Sequence, residues 1–251
     1  MEHLVVKKTE AIVSIQLNRP EVLNAFNEAM LEELYQVLQD IEKDPTLKVM
    51  ILSGMGRAFS AGVDLKSTTA DGFQQGGSFM ELGLAVGNLL ANMSKVSIAQ
   101  VHGYCFTGAL ELMLFLDLAF CGEDTQFGDT HAKWAVMPRW GMTQRLARRV
   151  GLVKAKELTF RAMRIKGKEA ERIGLVNRAF PEATLEEEVN QIAAEIVGNS
   201  FEAIQAIKEL YNRGYETTLK EGLRIEYEAD SKLSDTSAQL SQFQEKKFSG
   251  D

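Results

Sequence analysis

The chain contains few of the residues that usually mark a metal site or a disulfide framework. It has only two cysteines and three histidines, spread widely along 251 residues. Two cysteines cannot form a disulfide framework, and no His or Cys spacing matches a metal-ligand pattern, so no metal site is predicted. Cys105 and Cys121 both lie in apolar stretches. We therefore expect buried, reduced thiols and a reducing compartment, the cytoplasm.

Long apolar runs and a net positive charge are also absent. No segment approaches the roughly 20 uncharged apolar residues of a membrane-spanning helix. Residues 1–8 lack the apolar run and the cleavage site of a signal peptide. The formal net charge is −7, which argues against nucleic acid or an anionic membrane surface as the main partner. Neither kind of partner is predicted.

Several catalytic motifs are missing as well. There is no G-x-G-x-x-G after a predicted strand and no P-loop lysine, so neither a dinucleotide nor a nucleoside triphosphate is supported as a ligand. Gly-x-Ser-x-Gly is absent too, which removes the usual nucleophile turn of a serine hydrolase.

What the chain does contain is an alternation of strands and helices. Residues 4–8 and 11–17 predict a β-hairpin, and 49–52 predict a buried strand of a parallel sheet. Apolar residues at helical spacing follow Asn27, a plausible N-cap, and end at Asp44. Further helices are predicted at 79–93, 143–150, 154–160, 168–173, 185–197, 201–213 and 217–233, and further strands at 96–101, 118–121 and 176–180. This order predicts an α/β core over 1–182 and a helical region over 183–251.

The stretch 103–111 is the first candidate for chemistry. It follows a predicted strand, carries two glycines and leads into an apolar segment with one acid, Glu111. That order predicts a strand, a tight turn and a helix start, whose unpaired N–H groups can hold negative charge. The alternative is a packing turn with a structural acid. Because Glu111 is flanked by leucines and methionine, we expect it to be partly buried and available for proton transfer.

Two further stretches are candidates. Residues 57–66 follow a buried strand, where an open α/β sheet presents its ligand-binding loops, although a plain surface loop would share this pattern. Residues 127–131 contain Asp129 and His131, two positions apart. These side chains face the same side only if the segment is extended. A lone histidine is more often a packed or surface residue than a catalytic one.

Together these stretches resemble the crotonase family, also called the enoyl-CoA hydratase/isomerase superfamily. The similarity extends over most of the chain, because the motifs occur in the family's order and spacing. They read Ile15-Gln-Leu-Asn-Arg-Pro-Glu-Val-Leu-Asn-Ala25, Phe59-Ser-Ala-Gly-Val-Asp-Leu65, the stretch 103–111, Thr143-Gln-Arg-Leu146 and Ile173-Gly-Leu-Val176.

The resemblance implies an α/β fold, a crotonase-like spiral of ββα units with a C-terminal helical trimerisation region. It implies a homotrimer or a dimer of trimers as the assembly. The implied ligand is an acyl-CoA thioester, and no separate cofactor is expected, since coenzyme A is part of the substrate. In the family the adenine pocket is lined at positions that match Ala25 and Ala61. Lys66 and Lys208 could meet the CoA phosphates, or could be solvated surface lysines.

The resemblance also implies an oxyanion hole. Two backbone N–H groups hold the thioester carbonyl, and by motif position they belong to Val63 and Gly108. Glu111 matches the first of two glutamates that hydratases of the family use on a water molecule. The position of the second glutamate is occupied by His131, whose unperturbed pKa of about 6.5 suits proton transfer near neutral pH. Asp129 is a further candidate acid.

Several reactions therefore remain open. In a hydratase Glu111 would activate water for addition to the β-carbon, while His131 or a water would protonate the α-carbon. An isomerase would move one proton along the acyl chain, and a hydrolase would use His131 to activate water. A non-catalytic acyl-CoA binding protein is the alternative from another class, and a purely structural subunit ranks last. Residues 67–78, Trp134 and Trp140 are predicted to border the acyl pocket.

Overall fold

The structure is a computed structural model that describes residues 1–65, 77–229 and 232–241. By internal contacts the chain divides into two compact units, Met1–Ala193 and Ala194–Asp251. The predicted boundary after residue 182 stays a prediction. The strands are β1 Leu4–Thr9, β2 Ile12–Leu17, β3 Val49–Gly54, β4 Val96–Val101, β5 Tyr104–Phe106, β6 Leu118–Gly122, β7 Gln126–Gly128, β8 Arg164–Lys166 and β9 Arg178–Phe180.

The predicted helices are present in the predicted order, and a four-residue helix at His131–Trp134 was not predicted. The helices are α1 Glu28–Lys43, α2 Ser78–Asn92, α3 Gly108–Met113, α4 His131–Trp134, α5 Met142–Val150, α6 Leu152–Phe160, α7 Gly167–Arg172, α8 Leu185–Val197, α9 Phe201–Tyr215 and α10 Leu219–Glu228. None of the helices within the described residues is long and apolar enough to cross a membrane.

The first unit is built on a mostly parallel sheet. Its described strands run in the order β1-β2-β3-β4-β6-β9, and only the β1–β2 hairpin is antiparallel. All six residues of β3 are buried, as expected for a strand covered on both faces. In β2 burial alternates, because Val13, Ile15 and Leu17 share the face that points into the core. The hairpin and the parallel strand are confirmed.

Helix α1 is fixed by an N-cap residue at its start and by an apolar stripe along one face. The side chain of Asn27 accepts a hydrogen bond from Met30 N at 2.9 Å, which caps the helix as predicted. The helix buries a stripe at spacings of three and four residues against the sheet and α2. That stripe is Met30, Leu31, Leu34, Val37, Leu38 and Ile41.

The stretch 103–111 differs from its prediction in one respect. Instead of a plain turn between strand and helix, it contains β5, which pairs in parallel with β7 in a small sheet that β8 completes. Each of these strands has three residues, too few to show a period of two in the sequence. This small sheet places the ends of β5 and β7, and hence Thr107 and Asp129, side by side.

The second unit is helical, as predicted. Helices α9 and α10 pack against each other, and Gly214 and Gly222 lie at the contact between them: a Cβ on Gly222 would lie 3.5 Å from the Cα of Gly214. Helix α10 ends at Glu228, so the helix predicted over 217–233 is shorter at both ends, with Thr218 as its N-cap.

Candidate active site

Two loops lie side by side at one end of the sheet. The loop after β3 runs along the stretch that contains β5, and two backbone hydrogen bonds join them: Phe59 N donates to His102 O at 2.9 Å, and Ser60 N donates to Tyr104 O at 3.0 Å. Farther along the first loop, Val63 pairs with Phe26. The two stretches with candidate chemistry, 57–65 and 103–111, therefore meet.

Their meeting point is the backbone of Val63 and Gly108. A methyl group on Gly62 would lie 3.2 Å from Gly108 N, and one on Gly108 would lie 3.5 Å from Val63 N. In the described part of the chain, neither the Val63 nor the Gly108 amide donates a hydrogen bond to another protein group. Both residues line one cavity. Two amide donors close together at a cavity wall suit a developing negative charge on an oxygen atom.

Gly62 is needed for this approach. Its φ is +96°, and an added Cβ would lie 2.6 Å from the carbonyl oxygen of Phe106. Backbone cannot yield as a flexible side chain can, so Gly62→Ala is expected to displace Val63 from Gly108. The loss of one oxyanion donor typically lowers kcat by about 10²-fold or more. Steady-state kinetics of the wild type and the variant measure this change.

Gly151→Ala is the matched control for Gly62→Ala. Gly151 also has a positive φ, +82°, but a Cβ there would meet nothing within 4 Å. The control carries the backbone strain without the collision, so it should lower stability and leave kcat unchanged. Equal kcat values for the two variants would contradict a role for the Val63–Gly108 contact.

Glu111 is buried, as predicted from its apolar neighbours. It is 3% exposed and lies on α3, whose residues are all buried. Its Oε1 accepts hydrogen bonds from Trp140 N at 2.9 Å and Met142 N at 3.3 Å. Its Oε2 lies 3.5 Å from His131 Nε2. One carboxylate oxygen is thus fixed by backbone, and the other faces the imidazole.

His131 lies between two carboxylates. Its Nδ1 is 2.6 Å from Asp129 Oδ1, and the other oxygen of Asp129 accepts a hydrogen bond from Thr159 Oγ1 at 2.6 Å. Burial alone would lower the pKa of His131, but the hydrogen bonds and charges of Asp129 and Glu111 outweigh it and raise the pKa to about 9. Burial raises the pKa of Asp129, yet the bonds from His131 and Thr159 hold it below its usual range. At neutral pH the imidazole is therefore a cation held by Asp129 and Glu111.

Glu111 and His131 line the same cavity as Val63 and Gly108. Both tryptophans border it, Trp140 buried and Trp134 exposed, and their place at an acyl pocket stays a prediction. Its polar wall contains Glu111 and His131, and much of the remainder is apolar. Asp129 is not part of the wall, because it lies behind His131. The lining residues are Ala61, Val63, Leu65, Met80, Thr107, Gly108, Glu111, Thr130, His131, Trp134, Val136, Met137, Arg139 and Trp140.

Of the residues predicted to bind CoA, three lie within the described part of the chain. Ala61 lines the cavity. Ala25 is buried and does not line the cavity, and its carbonyl accepts a hydrogen bond from Arg19 Nη1 at 2.7 Å. Lys208 lies on α9 of the second unit. Lys66 and residues 67–76 of the predicted acyl-pocket border lie outside the described residues. The CoA-binding roles stay predictions.

Sequence reasoning missed the groups that fix the acid–base residues. Thr159 and the amides of Trp140 and Met142 are distant in sequence from the side chains that they bind, and no local pattern marks them. Among the residues described here, no group of three or more His, Cys, Asp or Glu side chains is arranged to hold a metal ion.

Comparison with known proteins places this geometry in a family. The family model for enoyl-CoA hydratase/isomerase matches residues 7–249. A mitochondrial enoyl-CoA hydratase from Pongo abelii is 36% identical over 219 residues, which cover 87% of this chain and 75% of that protein. A short-chain-enoyl-CoA hydratase from Clostridium acetobutylicum is 34% identical over 230 residues, covering 91% and 88% of the two chains.

Solved structures agree with the sequence relatives. The crystal structure of an enoyl-CoA hydratase from Bacillus anthracis superposes with a TM-score of 0.92 at 32% identity, covering 97% of this chain and 96% of that one. The predicted crotonase-like α/β fold with a helical C-terminal region is thereby confirmed. The chain belongs to the enoyl-CoA hydratase/isomerase family.

Proposed function

We propose that the protein is a 2-enoyl-CoA hydratase in which Glu111 and the His131 imidazolium form the acid–base pair. The observation that carries this proposal is the 3.5 Å contact between Glu111 Oε2 and His131 Nε2, at the wall of the cavity that Val63 and Gly108 also line. Relatives that are about a third identical to the chain are named as hydratases of short enoyl-CoA or crotonyl-CoA thioesters.

The first half of the reaction uses Glu111 and the backbone amides of Val63 and Gly108, here called the oxyanion pair. The thioester oxygen accepts hydrogen bonds from the amides of Val63 and Gly108, which polarises the conjugated double bond. Glu111 takes a proton from water as the water oxygen bonds to the β-carbon, and the electrons of the double bond move onto the thioester oxygen. The two amides stabilise this enolate more than the neutral carbonyl, because they act on developing charge.

The second half uses His131. Its imidazolium gives the Nε2 proton to the α-carbon as the enolate collapses to the thioester. Glu111 is then protonated and His131 neutral. One proton transfer between Oε2 and Nε2 restores the starting pair, so water adds with no net release of protons. Asp129 and Thr159 hold the imidazole from behind, which makes Asp129 a positioning residue in this scheme.

Incubation with crotonyl-CoA tests the proposal. The purified protein is expected to remove the ultraviolet absorbance of the conjugated thioester, and mass spectrometry is expected to show the product one water heavier. Butyryl-CoA, which has no double bond, is the control and should stay unchanged. Binding of crotonyl-CoA without conversion would contradict hydration and favour the non-catalytic acyl-CoA binding protein.

The isomerase and hydrolase alternatives use the same groups on other substrates. A 3-enoyl-CoA substrate would give a 2-enoyl product of equal mass in an isomerase, whereas a hydrolase would release free CoA thiol. A panel of 2-enoyl, 3-enoyl, β-keto and malonyl thioesters separates these outcomes. The Glu111–His131 contact favours hydration, since that reaction needs a base and an acid together.

Assembly and location are part of the same proposal. A homotrimer or dimer of trimers is supported by large apolar side chains that are exposed on the helices of the second unit, among them Tyr211, Leu219 and Tyr227. Light scattering of the purified protein measures the oligomer, and a monomer would contradict it. Cytoplasmic location is supported by the two buried free cysteines, Cys105 and Cys121.

A further inference from the structure

Thr107 has a backbone conformation that its side chain disfavours. Its φ is 49° and its ψ is −109°, whereas a β-branched residue with positive φ is a genuine outlier. Glycine would adopt this conformation without strain. Strained residues of this kind persist where the surrounding structure holds them and they cluster at functional sites. Thr107 lines the cavity and directly precedes Gly108.

Thr107 is bonded to the segment 128–131 through both its amide and its side chain, while its carbonyl accepts a hydrogen bond from Glu111 N at 2.9 Å. Its N–H donates to the carbonyl of Gly128 at 2.9 Å. Its Oγ1 accepts a hydrogen bond from Thr130 N at 3.3 Å and lies 2.5 Å from Thr130 Oγ1. Three hydrogen bonds thus join Thr107 to residues on both sides of Asp129, and two of them depend on the hydroxyl.

These hydrogen bonds connect the turn that leads to Gly108 with the segment that contains His131. Thr107 is covalently attached to Gly108, which supplies one amide of the oxyanion pair. Thr130 is covalently attached to both Asp129 and His131. A shift of the segment 128–131 would therefore change the distance between the oxyanion amide and His131, and errors of about 1 Å between reacting groups can lower rates about 10²-fold.

We propose that Thr107 is a positioning residue, whose hydroxyl group fixes the acid–base segment 128–131 relative to the oxyanion amide of Gly108. This inference rests on the proposed hydratase function and adds a determinant of its rate. The strain at Thr107 explains why the hydroxyl matters: glycine would suit the backbone better, but it would supply only the N–H bond to Gly128 and neither bond to Thr130.

Thr107→Gly and Thr107→Ser test the inference together. Glycine removes the hydroxyl and relaxes the backbone, so kcat for crotonyl-CoA is expected to fall about tenfold or more, with KM little changed because the thioester contacts remain. Serine retains the hydroxyl and is expected to keep kcat close to that of the wild type. Glu10→Gly is the matched control: it relaxes another positive-φ residue, with φ 51°, in the turn between β1 and β2.

A second readout is independent of the substrate. The imidazole of His131 is followed by NMR titration in each protein and assigned among three histidines with a His131→Gln sample. Its midpoint is expected near 9 in the wild type, lower in Thr107→Gly and restored in Thr107→Ser. An unchanged midpoint and kcat in Thr107→Gly would overturn the inference, as would a serine variant as impaired as the glycine variant. A wild type inactive on crotonyl-CoA would refute the proposed function, whereas the titration would still decide the role of Thr107.

Discussion

Glu111→Gln is expected to lower kcat for crotonyl-CoA hydration by about 10³-fold, within the range for loss of a general base. The amide is nearly isosteric, and its oxygen can still accept from Trp140 N and Met142 N, the two amides that hold Oε1 in the wild type. The buried turn around residue 140 should therefore survive. What is lost is the ability to take a proton from water. Stopped-flow measurement of a single turnover separates this chemical step from product release.

The same substitution should be visible at His131. Glu111 is one of the two carboxylates that raise the pKa of His131 to about 9, so the NMR midpoint of the imidazole is expected to fall in Glu111→Gln. Glu169→Gln is the control, because Glu169 is a partly exposed residue on α7 paired with Arg172, and kcat should not change. A Glu111→Gln protein that keeps kcat within tenfold of the wild type would remove Glu111 from the role of base.

The fold was predictable where the sequence pattern is long. Helix α1 and strands β2 to β4 have six or more residues, enough to show a periodic apolar face in α1 and β2 and a buried run in β3, and the Asn27 cap marks the start of α1. The three-residue strands of the small sheet have no such pattern. They nevertheless decide the site, because β5 and β7 place Gly108 beside the segment that contains His131. That pairing is set by tertiary packing, which no local pattern records.

The candidate site was predictable residue by residue but not as a network. Glu111, Asp129 and His131 were identified as acid–base candidates, yet the side-chain direction of Asp129 could not be known. The structure shows that Asp129 faces His131 Nδ1 and Thr159. It also shows that Thr107, in a conformation suited to glycine, joins the turn before Gly108 to the segment 128–131 by hydrogen bonds. A positive φ at a threonine runs against local preference, and sequence reasoning fails at strained sites for this reason.

His131→Gln is expected to lower kcat/KM for crotonyl-CoA by about 10²-fold and to remove a pH dependence. In the proposed mechanism the acid is the His131 imidazolium, whose pKa is about 9. The wild-type rate should be level near neutral pH and should decline above about pH 9, as the imidazole loses its proton. Glutamine has no such transition, so the variant profile should be flat there. Rates of crotonyl-CoA loss across this range measure both effects.

The stability of the fold should also depend on pH through His131, and the direction of this dependence follows from its pKa. The folded-state pKa of His131 lies above the unfolded value of about 6.5, so its protonation stabilises the fold fully below that pH and progressively less as pH rises through about 9. The difference in Tm between wild type and His131→Gln should therefore be large near pH 6 and should shrink toward pH 9 and above. A difference that grows with pH would contradict the buried cation.

Asp129→Asn keeps this test decisive, because His131→Gln leaves two buried carboxylates without a cation and can destabilise the fold. Asparagine can still accept a hydrogen bond at Oδ1, but the charge that helps to raise the pKa of His131 is gone. The alkaline decline in kcat/KM should then move to lower pH rather than disappear. His131 as the acid requires this shift in Asp129→Asn and the loss of the decline in His131→Gln. A decline that stays near pH 9 in both variants belongs to another group, and the acid would have to be sought elsewhere along the cavity wall.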